Sequence, residues 1–294
     1  MNRRLNDLFA SRLMLVATIF SSLIVFLIAF VLFQKASLIL TTSSLSGLIS
    51  STWNPWNRQF GFYSFIIGTF WVTGIAMILA VPICLLCAIY LAEYASKGLR
   101  SVLKTLVDLL AGIPSVVFGV WGVLVIVPLI RDDLAPLAGA TTTGYSVLAG
   151  GIILAIMVFP VIVSISEEVF RSVSYDIQEA SFALGATRWQ TVKHVVIRKT
   201  LPGIVAAVIL GFSRAFGETM AVLMVVGNVP KVPTSIFEPA YPLPALIANS
   251  YGEMMSIPLY DSALMLAALI LLVVVFAFNV AARLILMKIE RGTT

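Results

Sequence analysis

Six long apolar runs, separated by polar or Pro- and Gly-rich segments, dominate the pattern along the chain. They cover approximately residues 13–33, 66–94, 106–130, 146–166, 204–228 and 262–287. A helix needs roughly 20 mainly apolar residues to cross a hydrocarbon core about 30 Å thick, and each run reaches that length. An unclosed strand would leave backbone groups unpaired in lipid. The pattern therefore predicts an all-α integral membrane protein with six transmembrane helices.

Composition agrees with this class, since 60% of the residues are hydrophobic, 11% are charged and the mean hydropathy is +1.04. The first run is too long for a signal peptide and has no small-x-small cleavage site after it, so we expect a retained helix. The predicted organisation is a cytoplasmic N-terminal segment (1–12), a first span (13–33), a periplasmic loop (34–65) and a core (66–290) with five further spans.

Lys and Arg residues fall mainly in alternate segments, which indicates the orientation of the chain. Most of them lie at the N-terminus, in the second and fourth loops and at the C-terminal end: Arg3, Arg4, Arg12, Lys97, Arg100, Lys104, Arg171, Arg188, Lys193, Arg198, Lys199, Arg283, Lys288 and Arg291. The other loops hold only Lys35, Arg58, Arg131 and Lys231. The pattern predicts cytoplasmic termini. The net charge of +5 follows from this excess of Lys and Arg in alternate segments. No nucleic-acid partner is predicted, since the sequence has no aromatic-interleaved basic run.

A charged segment, 167–203, lies between the fourth and fifth apolar runs. Asp176 followed three residues later by Glu179 resembles a capping box and predicts the start of a short helix that runs through Leu184. Gly185 then suits the residue after the helix, because glycine adopts positive φ without strain. The segment is therefore predicted to bend at this glycine.

A second helix is predicted to follow the bend. Thr187 with Gln190 three residues later forms another S/T-x-x-Q box. The product is a helix–turn–helix outside the bilayer with Ala180, Ala183 and Leu184 at its front. We interpret it as a docking surface for a cytosolic partner; an ordinary solvated hairpin is the alternative.

Two charges, Arg214 and Glu218, lie within the fifth apolar run. Their spacing places them on one face of a continuous helix. An unpaired Arg near the bilayer centre costs about 2.5–3.5 kcal/mol, so it must face protein or water. One interpretation is an ion pair that fixes helix packing. The favoured one is a positive charge that lines an anion path, with Glu218 holding Arg214 in place and partly neutralising it, because a guanidinium donates two parallel hydrogen bonds to phosphate oxygens and keeps its proton.

Other charged and special residues receive structural interpretations. Glu93 with Lys97, and Lys104 with Asp108, are i, i+4 pairs expected to hold helix ends at the interface. Three prolines fall inside predicted spans and should bend them: Pro82, Pro114 and Pro160. Cys84, Cys87 and the solitary His194 are expected to be packing and solvated residues, so no metal site is predicted.

The docking segment also carries a resemblance. Glu179, Ala180 and Ser181, with Gly185 four residues after Ser181, resemble the E-A-A-x-x-x-G loop of ABC importer permeases. In that family the loop inserts into a cleft on the cytosolic ATPase subunit, which implies that these four residues dock an ATPase. Ser181 replaces the second Ala of the motif, and the Leu-Pro that usually follows is displaced by four residues to Leu201-Pro202.

Several further stretches resemble the permeases of phosphate-specific ABC importers, at 68–69, 110–119, 150–157, 210–222 and 226–228. The run Glu218-Thr-Met-Ala-Val222 is similar to the PstC type. This resemblance, over roughly residues 60–290, implies a type I permease fold in the bacterial inner membrane. It also implies a complex with a second, PstA-like permease, two ATPase subunits and a periplasmic phosphate-binding protein.

The sequence has no P-loop of the form G-x-x-x-x-G-K-[ST], so this chain is not expected to be an enzyme or to carry a cofactor. ATP and Mg²⁺ would belong to the ATPase subunits. A permease for another oxyanion, sulfate or molybdate, is the alternative within transport. A stand-alone channel or ion-coupled transporter is the alternative outside it, and would need no docking loop.

Overall fold

The computed structural model describes residues 2–252 and 257–292, and the side chains of 7–252, 257–284, 286 and 287 within them. The side chains of Arg3, Arg4, Lys288 and Arg291, on which part of the predicted orientation depends, lie outside that set. The helices are α1 (Asn2–Thr42), α2 (Leu45–Leu48), α3 (Tyr63–Tyr94), α4 (Lys97–Gly112), α5 (Ser115–Leu137), α6 (Val147–Arg171), α7 (Tyr175–Ala183), α8 (Arg188–Phe216), α9 (Met220–Val225), α10 (Leu243–Ser250) and α11 (Pro258–Gly292).

Six of these helices are long and apolar enough to cross a membrane: residues 7–42 of α1, α3, α5, α6, α8 and residues 258–284 of α11. The prediction of six transmembrane helices is therefore confirmed. Helix α6 occupies the centre, since 61% of its most apolar stretch is buried, against 33% or less in each of the others. It packs mainly against α3 and α8.

Small residues allow α6 to approach its neighbours closely. A Cβ placed on Gly151 would lie 2.5 Å from Ile75 of α3, and one placed on Gly211 of α8 would lie 2.6 Å from Ile162 of α6. Without water to drive helices together, close van der Waals packing of this kind holds membrane bundles. The two contacts hold α3 and α8 against the same central helix.

The predicted third span, 106–130, is wrong in its position. Pro114 separates α4 from α5, because Ile113 before it has an extended backbone (φ −72°, ψ 128°). A proline disfavours helical geometry in the residue that precedes it. The span therefore begins at Ser115. The first part of the predicted span, residues 106–112, belongs to α4, which is not one of the six spanning helices.

The predicted fifth span, 204–228, is also wrong in its bounds. Helix α8 begins at Arg188 and ends at Phe216, and it does not break at Pro202. Pro82 and Pro160 likewise lie inside α3 and α6. Transmembrane helices tolerate proline because neighbouring groups satisfy the freed backbone carbonyl. The predicted second helix of the docking segment and the fifth span are therefore one helix.

The predicted loop 34–65 is partly helical, because α1 continues to Thr42. After α2, a short antiparallel hairpin pairs β1 (Trp53–Asn54) with β2 (Gln59–Phe60). Trp53 lies edge-on to Phe60, Phe62 and Phe65, with ring centroids 5.0 to 5.6 Å apart. These rings join the ends of α3 and α11 in one apolar cluster.

Helix α1 lies at the periphery of the bundle, with none of its most apolar stretch buried. It packs against α11, and Ser262 links the two. The Ile39 N–H donates to Ser262 Oγ at 3.0 Å, and that hydroxyl donates to the Lys35 carbonyl at 2.9 Å. The first and last helices are thus joined by one buried serine.

Candidate docking loop and translocation site

The docking segment folds as α7, a tight turn and the first turns of α8. Ser174, with φ −60° and ψ 142°, precedes the first residue of α7. The predicted start at Asp176 is wrong, because Asp176 already lies in the first turn of the helix. A carboxylate is favourable there, since it faces the positive end of the helix dipole.

The turn presents its tip to solvent. Gly185 has φ +83°, as predicted, and its N–H donates to the Phe182 carbonyl at 2.9 Å. A Cβ built on Gly185 would meet nothing within 4 Å, and the neighbouring Leu184 is 90% exposed. Backbone and apolar side chain are therefore both accessible at the tip.

The predicted capping box at the start of α8 is confirmed. The Gln190 N–H donates to Thr187 Oγ1 at 3.3 Å, and the Thr187 N–H donates to Gln190 Oε1 at 2.8 Å. Two backbone donors that have no partner in the helix are satisfied reciprocally. The exit of the turn is thereby fixed at the first residue of a helix that continues to Phe216.

The four motif residues differ in their surroundings. Glu179, Ala180 and Gly185 are exposed, whereas Ser181 is half-buried. Its hydroxyl lies 2.9 Å from Thr191 Oγ1 and links α7 to α8. From the sequence, Ser181 is only a small residue in place of Ala. The structure adds a hydrogen bond that alanine cannot make.

Both limbs of the turn contact the end of α3. Gln178 Nε2 of α7 donates to Glu93 Oε1 at 3.4 Å, and Arg188 of α8 donates to the Glu93 carbonyl. The Arg188 guanidinium also lies 4.9 Å from the centre of the Tyr94 ring. The predicted Glu93–Lys97 ion pair is absent among the described residues. The partners of Glu93 are 85 and 95 residues away in sequence, so local spacing could not reveal them.

Glu167, near the end of α6, forms the other charged cluster at this end. Its side chain is 4% exposed and forms ion pairs with two cations, Lys104 Nζ at 3.7 Å and Arg171 Nη1 at 3.5 Å, of which only Arg171 also donates a hydrogen bond. Lys104 therefore pairs with Glu167 and not with Asp108 as predicted. The Arg171 contact has the i, i+4 spacing of a helix pair and could have been predicted from sequence.

The predicted ion pair between Arg214 and Glu218 does not form in the described structure. Helix α8 ends at Phe216, and Gly217 (φ −96°, ψ −1°) turns the chain away. Residues four apart share a face only while the helix continues. Arg214 is exposed in the last turn of α8, and Glu218 is half-buried beyond the helix end.

Residues 217–219 form a break between α8 and α9. Arg214 lies 13 residues after Leu201, where the apolar part of α8 begins, which corresponds to about 20 Å along a helix. Non-helical backbone at such depth is tolerated where it is buried in protein or lines a water-filled cavity. The positive charge of Arg214 is stabilised by the negative end of the α8 dipole, because Arg214 lies in the last turn of the helix. The break and the guanidinium together mark a polar position on the exposed side of the bundle, at the end of α8.

The segment after α9 is held by its own hydrogen bonds. The Thr234 N–H donates to Glu238 Oε2 at 2.9 Å, and Thr234 Oγ1 donates to Glu238 Oε1 at 3.0 Å. These bonds, with a smaller contribution from Lys231, hold the pKa of Glu238 below its ordinary value. Among the described residues no group of three or more His, Cys, Asp or Glu side chains could hold a metal ion.

The fold is similar to that of solved ABC importers. Over 92% of this chain and 92% of the other, it matches a chain of a bacterial alginate ABC transporter in complex with a periplasmic protein that binds an alginate pentasaccharide (TM-score 0.59, 17% identity). Over 78% and 94%, it matches a chain of the MetNI methionine ABC transporter in an inward-facing conformation (TM-score 0.56, 20% identity). The architecture is that of a type I ABC importer permease.

Residues 80–291 match the family model for the binding-protein-dependent transport system inner membrane component. The phosphate transport system permease protein PstC of Xylella fastidiosa strain Temecula1 is 37% identical over 266 residues, 86% of this chain and 82% of the relative. A probable PstC of Methanocaldococcus jannaschii is 34% identical over 252 residues, 79% and 78% of the two chains. The chain belongs to this inner-membrane component family, and within it to the PstC-type permeases of phosphate-specific ABC importers.

Proposed function

We propose that this chain forms half of the translocation path of an ATP-driven inorganic phosphate importer and docks an ATPase subunit through α7 and the turn at Gly185. One observation carries the proposal. The exposed tip at Leu184 and Gly185 directly precedes α8, and the other end of this continuous helix presents Arg214, which has no ion pair among the described residues, at a helix break. A docking surface and an anion-attracting charge thus lie at the two ends of one helix.

The docking role rests on the shape of the turn. Leu184 offers an apolar side chain, and Gly185 leaves the backbone bare, so a partner surface can approach closely. The Thr187 capping box and the Ser181–Thr191 hydrogen bond hold the two limbs at a fixed angle. A partner that engages this tip would therefore engage a preformed surface, which keeps the ordering cost of binding low.

The path role rests on the surroundings of Arg214. An exposed guanidinium in a spanning helix must meet water, another subunit or an anion, because lipid does not solvate it. Phosphate carries one to two negative charges near neutral pH and accepts the two parallel donors of arginine. Since Glu218 does not neutralise it directly, Arg214 keeps its positive potential, and the carboxylate nearby would limit affinity so that the ion can leave.

The proposed complex contains a second, PstA-like permease, two ATPase subunits that bind ATP and Mg²⁺, and a periplasmic phosphate-binding protein. The chain itself would supply no catalytic residue and no cofactor. Its termini and the 167–203 segment would lie on the cytoplasmic side of a bacterial inner membrane, as the distribution of Lys and Arg favours. Membership of the PstC-type family supports phosphate over sulfate or molybdate as the substrate.

The docking role is tested with Gly185→Val and Ser181→Ala in a reconstituted complex. A β-branched residue at φ +83° is strained, so the turn must change shape and phosphate-stimulated ATPase activity should fall at least ten-fold. Ser181→Ala loses one hydrogen bond and should fall no more than about five-fold. The amount of assembled complex is the control. Wild-type stimulation in Gly185→Val would contradict the docking role.

A further inference from the structure

We propose that Glu93 is a positioning residue that holds the docking turn against the end of α3. The inference rests on the proposed docking function and adds a residue outside the loop motif. Glu93 is 9% exposed and lies in the last turn of α3. A buried carboxylate is costly unless it is paired or hydrogen-bonded, so its contacts indicate why it is there.

Glu93 is the meeting point of the two limbs of the turn. Its carboxylate accepts from Gln178, the residue before Glu179, and its carbonyl accepts from Arg188, three residues after Gly185. A rotation or translation of the turn relative to α3 would break one or both bonds. The position of the tip is therefore set by a residue that the tip itself does not contain.

The end of α3 is also held from the other side. Arg100 of α4 donates from Nε to the Leu91 carbonyl at 2.6 Å and from Nη2 to the Ala92 carbonyl at 2.8 Å. Three successive carbonyls at the C-terminus of α3 thus accept from two arginines, those of Leu91 and Ala92 from Arg100 of α4 and that of Glu93 from Arg188 of α8. Cationic donors at a helix C-terminus satisfy free carbonyls and oppose the negative end of the dipole. The docking turn, α4 and α3 meet at one joint.

Helix α3 connects this joint to the opposite end of the bundle. Near its start, Thr69 Oγ1 accepts from the Leu243 N–H at 2.9 Å, where α10 begins. Between these points α3 packs along α6. Packed helices move as units, so displacement of the docking turn at Glu93 would be passed to α3 and toward the outer segment.

The test uses a pair that can be reversed. Gln178→Leu removes the donor without altering buried Glu93, and the swap Glu93→Gln with Gln178→Glu restores a carboxylate–amide contact in the opposite sense. The readout is phosphate transported per ATP hydrolysed in the reconstituted complex. Gln178→Leu should lower this ratio about five-fold, and the swap should return it to within about two-fold of wild type. Asp108→Asn, at an exposed carboxylate of α4 outside the docking segment, is the matched control.

Amide hydrogen exchange over residues 175–190 provides a second readout that needs no assembled complex. We expect loss of protection in Gln178→Leu and recovery in the swap. Wild-type transport ratio and exchange in Gln178→Leu, or no recovery in the swap, would overturn the role of Glu93. Uncoupling by Gly185→Val with no effect of Gln178→Leu would leave the docking function intact and reject only this inference.

Discussion

The two ends of α8 differ in whether their charged side chains have partners within the chain. At the docking end Arg188 binds the Glu93 carbonyl, and nearby Glu167 is held by two cations. At the far end Arg214 and Glu218 make no ion pair with each other in the described structure, although they are four residues apart. Charges of the first kind are satisfied within the chain and fix its shape. Those of the second kind need water, another subunit or a ligand, which is the usual mark of function inside a membrane.

The difference between the two ends of α8 requires that they face opposite sides of the membrane. Single cysteines are placed at the exposed positions Lys193 and Lys231 in a cysteine-free background. The two should differ completely in their labelling by a membrane-impermeant thiol reagent. Position 231 should be labelled in intact cells, and position 193 only after the cells are opened. Labelling of position 193 from outside would place the docking turn in the periplasm and contradict the proposed docking of a cytosolic ATPase.

Removal of the Arg214 charge should abolish transport. We expect Arg214→Gln, alone or with Glu218→Gln, to assemble and to lower phosphate uptake about 100-fold, the loss of a strong charged contact. The double variant should give no rescue, because the pair it would neutralise does not form. Arg214→Lys should be intermediate, since it keeps the charge without the planar fork.

Uptake in membrane vesicles at matched protein levels checks this prediction. Wild-type uptake by the double variant would mean that Arg214 has only a structural role. A matched control is Arg198→Gln, an exposed cation on the same helix nearer the docking turn.

The Glu167 cluster should affect stability rather than transport selectivity. Lys104→Met with Arg171→Met leaves a carboxylate of 4% exposure without a partner and should cost about 3 kcal/mol. Glu167→Met removes the buried charge and leaves two half-exposed cations, which should cost less, about 1 kcal/mol. Chemical unfolding in detergent measures both. Equal losses would show that the burial of Glu167 does not matter.

Glu238 offers the smallest effect, in a segment that satisfies its own carboxylate. Because the folded pKa lies below the ordinary value, the stabilisation is complete at neutral pH and is lost as the pH falls below about 4. Thr234→Val should reduce hydrogen-exchange protection of residues 229–240 about two-fold at pH 7 and have a smaller effect at pH 3. Exchange is compared after correction for intrinsic rates. An equal effect at both pH values would contradict the linkage.

Local chemistry predicted the docking turn in detail. The positive φ of Gly185 and the Thr187–Gln190 capping box depend on residues a few positions apart, and both occur as expected. The apolar runs likewise predicted six spans, because span length is set by the bilayer. These features need no knowledge of the rest of the fold.

The failures have two causes: an ion-pair partner distant in sequence, and a helix that ends or continues where the apolar pattern does not indicate it. Lys104 prefers buried Glu167 to its i+4 neighbour Asp108. Pro114 ends a helix inside an apolar run, whereas Pro202 lies inside a continuous helix, and the presence of a proline alone does not distinguish the two cases. The termination of α8 at Phe216 separates Arg214 from Glu218, and no residue count could reveal that the helix stops there.

The link through Ser262 has a consequence for how the protein is made. Ile39 in the first helix bonds to a residue 223 positions later. At about 5 to 20 residues per second, the ribosome needs on the order of 10 to 45 seconds to synthesise that interval. During this time α1 lies in lipid without its partner α11. It remains stable there because its apolar surface is exposed to lipid also in the folded bundle. Closure of the bundle is therefore a late step of biogenesis, in which the last helix to emerge captures the first.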